Sequence, residues 1–289
     1  MKPVNFDYIR PNSLSEALTL AAGEEETEFI AGGQTLVPLL NLRMARPSIL
    51  IDISRIADLQ GISCEGERLW IGGATRQLEI EESEIVRKCC PLLHKALPWI
   101  GHRPTRARGT IGGSLATADP AAEISLVGFI LDADIEIQTP DGTQNIAIDD
   151  FILGPLETSL LPGACITSVS FPIWTGGEVA TGFRELSTRR SDFAIASAAV
   201  QLLKGPGGTI DRAAIAVGAC GDRPQRLSRL EYVVTGKRPA EITPDIYRAE
   251  IENEIQANGH IHASSNYGKR AAAHLAIQAL GEAIMELSQ

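Results

Sequence analysis

The chain has 289 residues, of which 44% are hydrophobic and 21% charged, so it is a folded globular protein with length for two or three domains, not a disordered one. Its formal net charge of −10 and pI near 5.1 exclude a broad surface for nucleic acid or for an anionic membrane. One local basic cluster, "GHRPTRARG" (Gly101–Gly109), runs against that balance.

In chain order, "SLSEALTLAAG" reads as a helix, with Ser13 and Glu16 at capping-box spacing and Gly23 as its stop. "TEFIAGG" is a short strand ending in glycines. "TLVPLLNLRMA" is helical, with Pro38 early enough for a first turn, and "SILIDIS" (Ser48–Ser54) is a buried strand. This opening stretch is a small α/β unit. "RLWIGGAT" is a strand that breaks at Gly72-Gly73, and "QLEIEESEIVRKCCPLLHKALPWI" is helical with an interruption at Pro91. "EISLVGFILDA" places Ile124, Val127 and Leu131 at helical spacing. "ADIEIQTPDGTQNIAI" alternates isoleucines about a Pro-Asp-Gly turn, as a hairpin does. "ITSVSFPI" closes this block as a strand. "WTGGEVATG" (Trp174–Gly182) reads as a linker, and "AIASAAVQLLKGPGGTIDRAAIAVGACG" as two strands around a Gly-Pro-Gly-Gly turn. The tail from Thr243 is mostly helical. The expected units are residues 1–55, 56–176 and 177–289.

Gly-Gly recurs at 32–33, 72–73 and 112–113, but the flanks AGGQT, IGGAT and IGGSL do not otherwise match, so the even spacing is read as coincidence rather than repetition. Two of the pairs share a layout. "FIAGGQTL" and "TIGGSLATADP" each run from a short apolar stretch through Gly-Gly and a small polar residue into a helix. Exposed N–H groups and a positive helix end favour an anion in both, with Thr35, Thr110, Ser114 and Thr117 as hydroxyl donors; two such loops suit the two ends of a pyrophosphate. The same glycines also read as plain turn residues. The chain has no G-x-G-x-x-G and no G-x-x-x-x-G-K-S/T, which argues against a Rossmann site and a P-loop.

Other polar residues point to less. His260 and His262 form an H-x-H pair without an evident third ligand, so a polar turn is favoured over a metal site. The five cysteines, Cys64, Cys89, Cys90, Cys165 and Cys220, are odd in number and irregularly spaced, as reduced cytosolic thiols are. Cys89-Cys90 reads as two small core residues on a helix. Arg103, Arg106 and Arg108 face either phosphates or a partner, or belong to a solvated loop with charge pairing. Lys88, Lys95 and His94 sit on helices and need no special role. No run approaches the ~18 apolar residues of a membrane span, and "MKPVNFDYIRP" has no apolar signal-peptide stretch, so a cytoplasmic chain is expected.

"AGGQTLVPLLNLRMARPSILIDIS" and "RGTIGGSLATADPAAEI" resemble the two flavin-binding signatures of the FAD-carrying medium subunit of molybdenum hydroxylases. That family includes carbon monoxide dehydrogenase, xanthine dehydrogenases and quinoline-type dehydrogenases. The resemblance extends through "FRELSTRRSDFAIASAAV" and covers essentially the whole chain. It implies an α+β fold: two N-terminal α/β subdomains forming a PCMH-like FAD-binding unit, plus a C-terminal domain of antiparallel sheet and helices. It also implies that Ala31, Gly32, Gly33, Gln34 and Thr35, with Leu36 adjoining, contact the pyrophosphate. Thr110, Ile111, Gly112, Gly113, Ser114 and Thr117 supply further contacts. Glu123 falls where an acid, often Asp, binds the adenosine ribose, and Leu160 falls near the adenine. Arg184 takes the place of a lysine near the isoalloxazine, and Phe193 that of a tyrosine.

The function so implied is an FAD-binding electron-transfer subunit without acid–base or nucleophilic residues of its own. Electrons would come from a large subunit bearing the molybdenum cofactor, by way of a small subunit bearing [2Fe–2S] clusters, and leave to an external acceptor. A dimer of heterotrimers is the expected assembly. The rivals are a self-sufficient FAD oxidase of a small organic substrate and a scaffold that has lost its flavin.

Overall fold

A computed structural model describes residues 1–23, 26–259 and 263–288; His260 and His262 lie outside the described residues. The chain opens with three short parallel strands, β1 (Asp7–Ile9), β2 (Thr27–Ile30) and β3 (Ile49–Asp52), in the order β1-β3-β2. The crossovers are α1 (Leu14–Ala21) and α2 (Leu36–Leu42). Ser13 caps α1 by accepting the Glu16 amide N–H at 3.2 Å. Glu16 reaches one residue further back than a capping box requires, to the Asn12 amide at 2.7 Å. Pro38 falls in the first turn of α2, where no helical N–H bond is lost. Strand β3 is central, paired on both edges, and Leu50, Ile51 and Asp52 on it are buried.

The second unit begins with β4 (Ile62–Glu65) and β5 (Arg68–Gly72). Short helices follow: α3 (Gln77–Glu81), α4 (Glu84–Cys89), α5 (Pro91–Ala96), α6 (Arg103–Arg106), α7 (Ile111–Thr117) and α8 (Glu123–Ile130). Pro91 starts α5 at its first position, which is why the helical stretch is interrupted there. The hairpin β6 (Asp134–Thr139) and β7 (Gly142–Ala147) forms as its alternation predicts, with Ile135 and Ile137 inward. After α9 (Ile148–Phe151) come a small hairpin, β8 (Ile152–Gly154) with β9 (Glu157–Thr158), and then β10 (Cys165–Pro172). The antiparallel order is β4-β5-β10-β6-β7.

The last unit is a meander of β11 (Glu178–Ser187), β12 (Ala194–Lys204), β13 (Ile210–Gly218) and β14 (Gln225–Arg226), with α10 (Ser228–Val234), α11 (Arg248–Glu254) and α12 (Ser265–Glu286). The expected linker Trp174–Gly182 is a correction. β11 already starts at Glu178, because Val179 and Ala180 alternate between two buried faces of the sheet. On one face Ala180, Ala196, Ala198, Val200 and Leu202 share a core with α12. On the other, Phe183, Ala199, Ala214 and Ala216 join the core of the second unit, and the Phe183 ring lies 6.0 Å from that of Trp99.

Lys95 of α5 departs from the idle role expected of it. Its ammonium donates to the Thr181 carbonyl at 2.6 Å and pairs with Glu282 at 3.2 Å and Glu286 at 3.1 Å on α12. The Glu286 carboxylate accepts the Thr181 N–H at 3.1 Å. Next to it, Gly182 lets the α12 backbone rest on the strand: a Cβ there would collide with the Ala279 carbonyl, whose Cα would be 2.9 Å away. Gly182→Val is expected to lower unfolding stability by ~3 kcal/mol, in line with overpacking against a rigid backbone. Urea unfolding of the full chain measures it; stability equal to the parent would show that α12 does not need this close approach.

Candidate functional site

Strand β2 ends at the first glycine loop, at the carboxyl edge of the parallel sheet, where open α/β sheets bind ligands. Gly33 has φ of +68°, a backbone that side chains rarely adopt. With the loop so bent, the N–H groups of Gly32, Gly33, Gln34, Thr35 and Leu36 have no hydrogen-bond acceptor among the described residues. The Gln34 side chain bonds the Gly32 carbonyl at 3.2 Å and leaves these donors free. A consecutive row of free N–H groups is a concavity for an anion. Ala31 packs against the core beneath.

The second glycine loop behaves otherwise, and the expectation of free N–H groups there is corrected. The Ile111 N–H donates to the Thr75 carbonyl at 3.3 Å, that of Gly112 to the Gly73 carbonyl at 2.9 Å, and that of Ser114 to the Thr110 carbonyl at 3.1 Å. The Gly113 N–H donates to Thr110 Oγ1 at 3.1 Å, so Thr110 is the N-cap of α7. Thr117 Oγ1 donates to the Gly113 carbonyl at 2.8 Å. Ile111 is in the core. The Ser114 hydroxyl alone among these groups has no partner among the described residues.

The glycine pairs are structural counterparts even though they are not repeats. A Cβ on Gly112 would sit 2.6 Å from the Gly73 carbonyl oxygen, and one on Gly73 would collide with the Ile166 carbonyl, so Gly112 admits the Gly73 backbone and Gly73 that of Ile166 on β10. Gly32 likewise rests on the Arg108 carbonyl, and its Cβ would be 2.8 Å from Gly109 Cα. The first loop is thereby held against the residues leading into the second.

The basic cluster divides. Arg103 pairs with Glu82 at 2.7 Å. Arg106 is buried on Glu81 at 2.6 Å and donates to the Ile100 and Gly101 carbonyls at 2.9 and 3.1 Å. Arg108 has no acid partner among the described residues.

Glu123 opens α8 and faces Glu185 of β11. The register places Glu185 opposite Ser197, and Ser197 opposite Gly218. A Cβ on Gly218 would touch Leu126 of α8 at 3.3 Å, so this row lies beneath the first turns of that helix. Burial pushes the Glu123 carboxyl up to about 7, with Asp119 adding to the rise and the Glu185 hydrogen bond and Arg106 opposing it. Burial and then the neighbouring Glu123 charge push Glu185 up to about 9. Glu185 Oε2 is buried without a partner among the described residues.

Arg184 lies on the opposite face of β11, paired with Glu282 at 2.6 Å and donating to the Phe183 carbonyl at 3.1 Å. Strand alternation thus sets Arg184 and Glu185 on opposite faces of β11, with Glu185 on the face toward Glu123. Leu160 packs against the core of the second unit, with its N–H on Thr158 Oγ1 at 3.3 Å. Phe193 stands on the β11–β12 turn and is 80% exposed, so its ring is free to stack.

A family model for the FAD binding domain in molybdopterin dehydrogenase matches residues 4–174, and one for the CO dehydrogenase flavoprotein C-terminal domain matches residues 181–283. The chain belongs to this flavoprotein family. It is 40% identical to the 6-hydroxypseudooxynicotine dehydrogenase complex subunit alpha of Paenarthrobacter nicotinovorans, over 81% of this chain and 79% of that one. It is 32% identical to the glyceraldehyde dehydrogenase medium chain of Sulfolobus acidocaldarius, over 98% and 99%. A chain of the crystal structure of quinoline 2-oxidoreductase from Pseudomonas putida 86 superposes with a TM-score of 0.93 at 30% identity, covering 100% of both. The chain is thus an FAD-binding oxidoreductase subunit, with the α+β fold that the resemblance implied. The residues present fit that cofactor, since the free N–H row of the first loop suits a pyrophosphate.

The carboxyl pair gives this flavoprotein a pH signature. Both carboxyls are raised above the ordinary value of 4.5, so the folded chain holds protons that the unfolded chain has released. That contribution is complete below about pH 4.5 and is lost as pH rises through the folded values of about 7 and about 9. Stability of the flavin-free chain should fall between those limits, and Glu185→Gln should flatten the decline. A thermal-unfolding series across pH tests this; parallel curves for the two proteins would rule out a shared proton.

Proposed function

We propose that this chain is the flavoprotein subunit of a multi-subunit molybdenum hydroxylase, holding FAD between partner iron–sulfur clusters and an external electron acceptor. The observation that carries the reading is the row of free N–H groups from Gly32 to Leu36, at the carboxyl edge of a parallel sheet. When bound, FAD supplies the redox chemistry, and the protein supplies position and electrostatics. The Gly32–Leu36 donors hold the pyrophosphate. Ser114 adds a hydroxyl from the facing loop, and Thr110, through its cap on Gly113, fixes the helix that presents it. Glu123 accepts from the ribose hydroxyls, Leu160 lies by the adenine, and Phe193 stacks near the ring system.

The thiols support a role that leaves cluster binding to other chains. Burial pushes Cys90 and Cys165 up to about 12 and Cys220 up to about 11, so these sulfurs stay protonated. Plant-type [2Fe–2S] ligation requires four thiolates, three closely spaced, a pattern that Cys64, Cys89, Cys90, Cys165 and Cys220 do not form. Relatives carry names such as "subunit alpha" and "medium chain", which support an assembly with a large molybdenum-cofactor subunit and a small [2Fe–2S] subunit. Among the described residues no helix is long and apolar enough to cross a membrane.

Gly33→Val tests the site. It places a β-branched residue at φ of +68°, with its Cβ 3.0 Å from Val37 Cγ2. Flavin affinity should drop by at least about tenfold while the circular dichroism is kept. Full FAD occupancy in the purified variant would put the pyrophosphate elsewhere. The subunit reading has its own test in turnover with and without co-expressed large and small subunits. Substrate oxidation should require them; robust oxidation by the single chain would favour a self-sufficient oxidase.

A further inference from the structure

Two arginines stand beside the first loop without an acid partner. Arg76 Nη1 donates to the Arg108 carbonyl, the same oxygen that rests on Gly32. The Arg76 backbone forms an isolated antiparallel β-bridge with Thr110, the cap of α7, so the residue sits where the two loops meet. Among the described residues neither Arg76 nor Arg108 makes an ion pair, whereas Arg103 and Arg106 of the same basic stretch do. Arg10, on the neighbouring strand edge, is likewise engaged, by Asp52 at 3.1 Å and Tyr8 at 2.6 Å.

Two cations held near each other need a reason in a folded chain. Burial, and then the charge of Arg108, keep the Arg76 guanidinium below its usual range, and Glu79 and Asp52 offset this only from a distance. The chain as a whole carries −10, which repels a dianionic diphosphate. Local positive charge beside the N–H row offsets that repulsion, and guanidinium groups suit phosphate oxygens by their fork of donors.

We infer that Arg76 and Arg108 form a cationic clamp on the diphosphate of FAD, closing over the row of N–H groups from Gly32 to Leu36. This rests on the pyrophosphate lying at that row. The clamp makes the site selective for the diphosphate part of the dinucleotide over the flavin ring alone. It also makes flavin binding sensitive to salt, because part of the affinity is charge attraction at an open rim.

Flavin-fluorescence quenching on the full chain freed of flavin tests the clamp, with FAD and riboflavin as probes from low to high salt. Arg76→Gln and Arg108→Gln should each weaken FAD by about tenfold, the gap narrowing as salt rises, with riboflavin affinity unchanged. Arg108→Lys should recover much of the loss, since it keeps the charge without the fork. FAD affinities and salt slopes equal to the parent in both variants would overturn the clamp. So would an equal loss for riboflavin, which would mark a distorted site rather than a missing charge. Gly33→Val separates the premise from the inference. If it loses FAD while the arginine variants keep it, the clamp alone fails; if it keeps FAD, the N–H row fails.

Discussion

The arrangement depends on backbone resting on backbone at two glycine contacts. Gly73 and Gly112 meet with the Gly112 N–H on the Gly73 carbonyl, and Gly32 lies on the Arg108 carbonyl and Gly109. Such contacts leave no room for a side chain on Gly112 or Gly32, so the first fixes α7 on the sheet of its own unit and the second fixes the first α/β unit against the residues leading into α7, more tightly than packed side chains would. Each loop then has a different task. The first is left with unpaired donors because its neighbour approaches from the Cα side of Gly32. The second uses its donors to build the start of α7 on the sheet, and so presents the Ser114 hydroxyl rather than amides.

A second constraint is the alternation of β11. Its two faces serve different cores, with Phe183 toward the second unit and Ala180 toward α12. The same parity sends Glu185 to Glu123 and Arg184 to Glu282. The face of β11 turned toward α8 therefore carries a proton-holding acid pair rather than a cation. Unpaired positive charge beside the first glycine loop, among the described residues, lies instead at Arg76 and Arg108.

Much of the fold was legible because its signals are local. The alternation of Ile135 and Ile137, the Pro91 break and the Ser13 cap each act within a few residues. Strand β1 gave no such signal, being three residues long and mostly exposed. The glycine loops could be found in the sequence, but not which N–H groups would be free, since that depends on Gly73 and Thr75 from a different strand turn. Which elements Arg184 and Glu185 face required the face of β11, and a one-residue shift exchanges them. The Thr110-to-Gly113 cap is a local pattern that could have shown the second loop to be closed. Arg76 carried no pattern at all: only its place beside the Arg108 carbonyl sets it apart.

β11 is the outer strand of the third sheet, and outer strands ordinarily offer unpaired backbone to any passing chain. At Thr181 both groups are already taken, the N–H by Glu286 and the carbonyl by Lys95. Side chains from two different elements thus occupy this position on the edge in place of another strand. A chain meeting the molecule here could lengthen the sheet by backbone pairing at Thr181 only by first displacing Glu286 and Lys95.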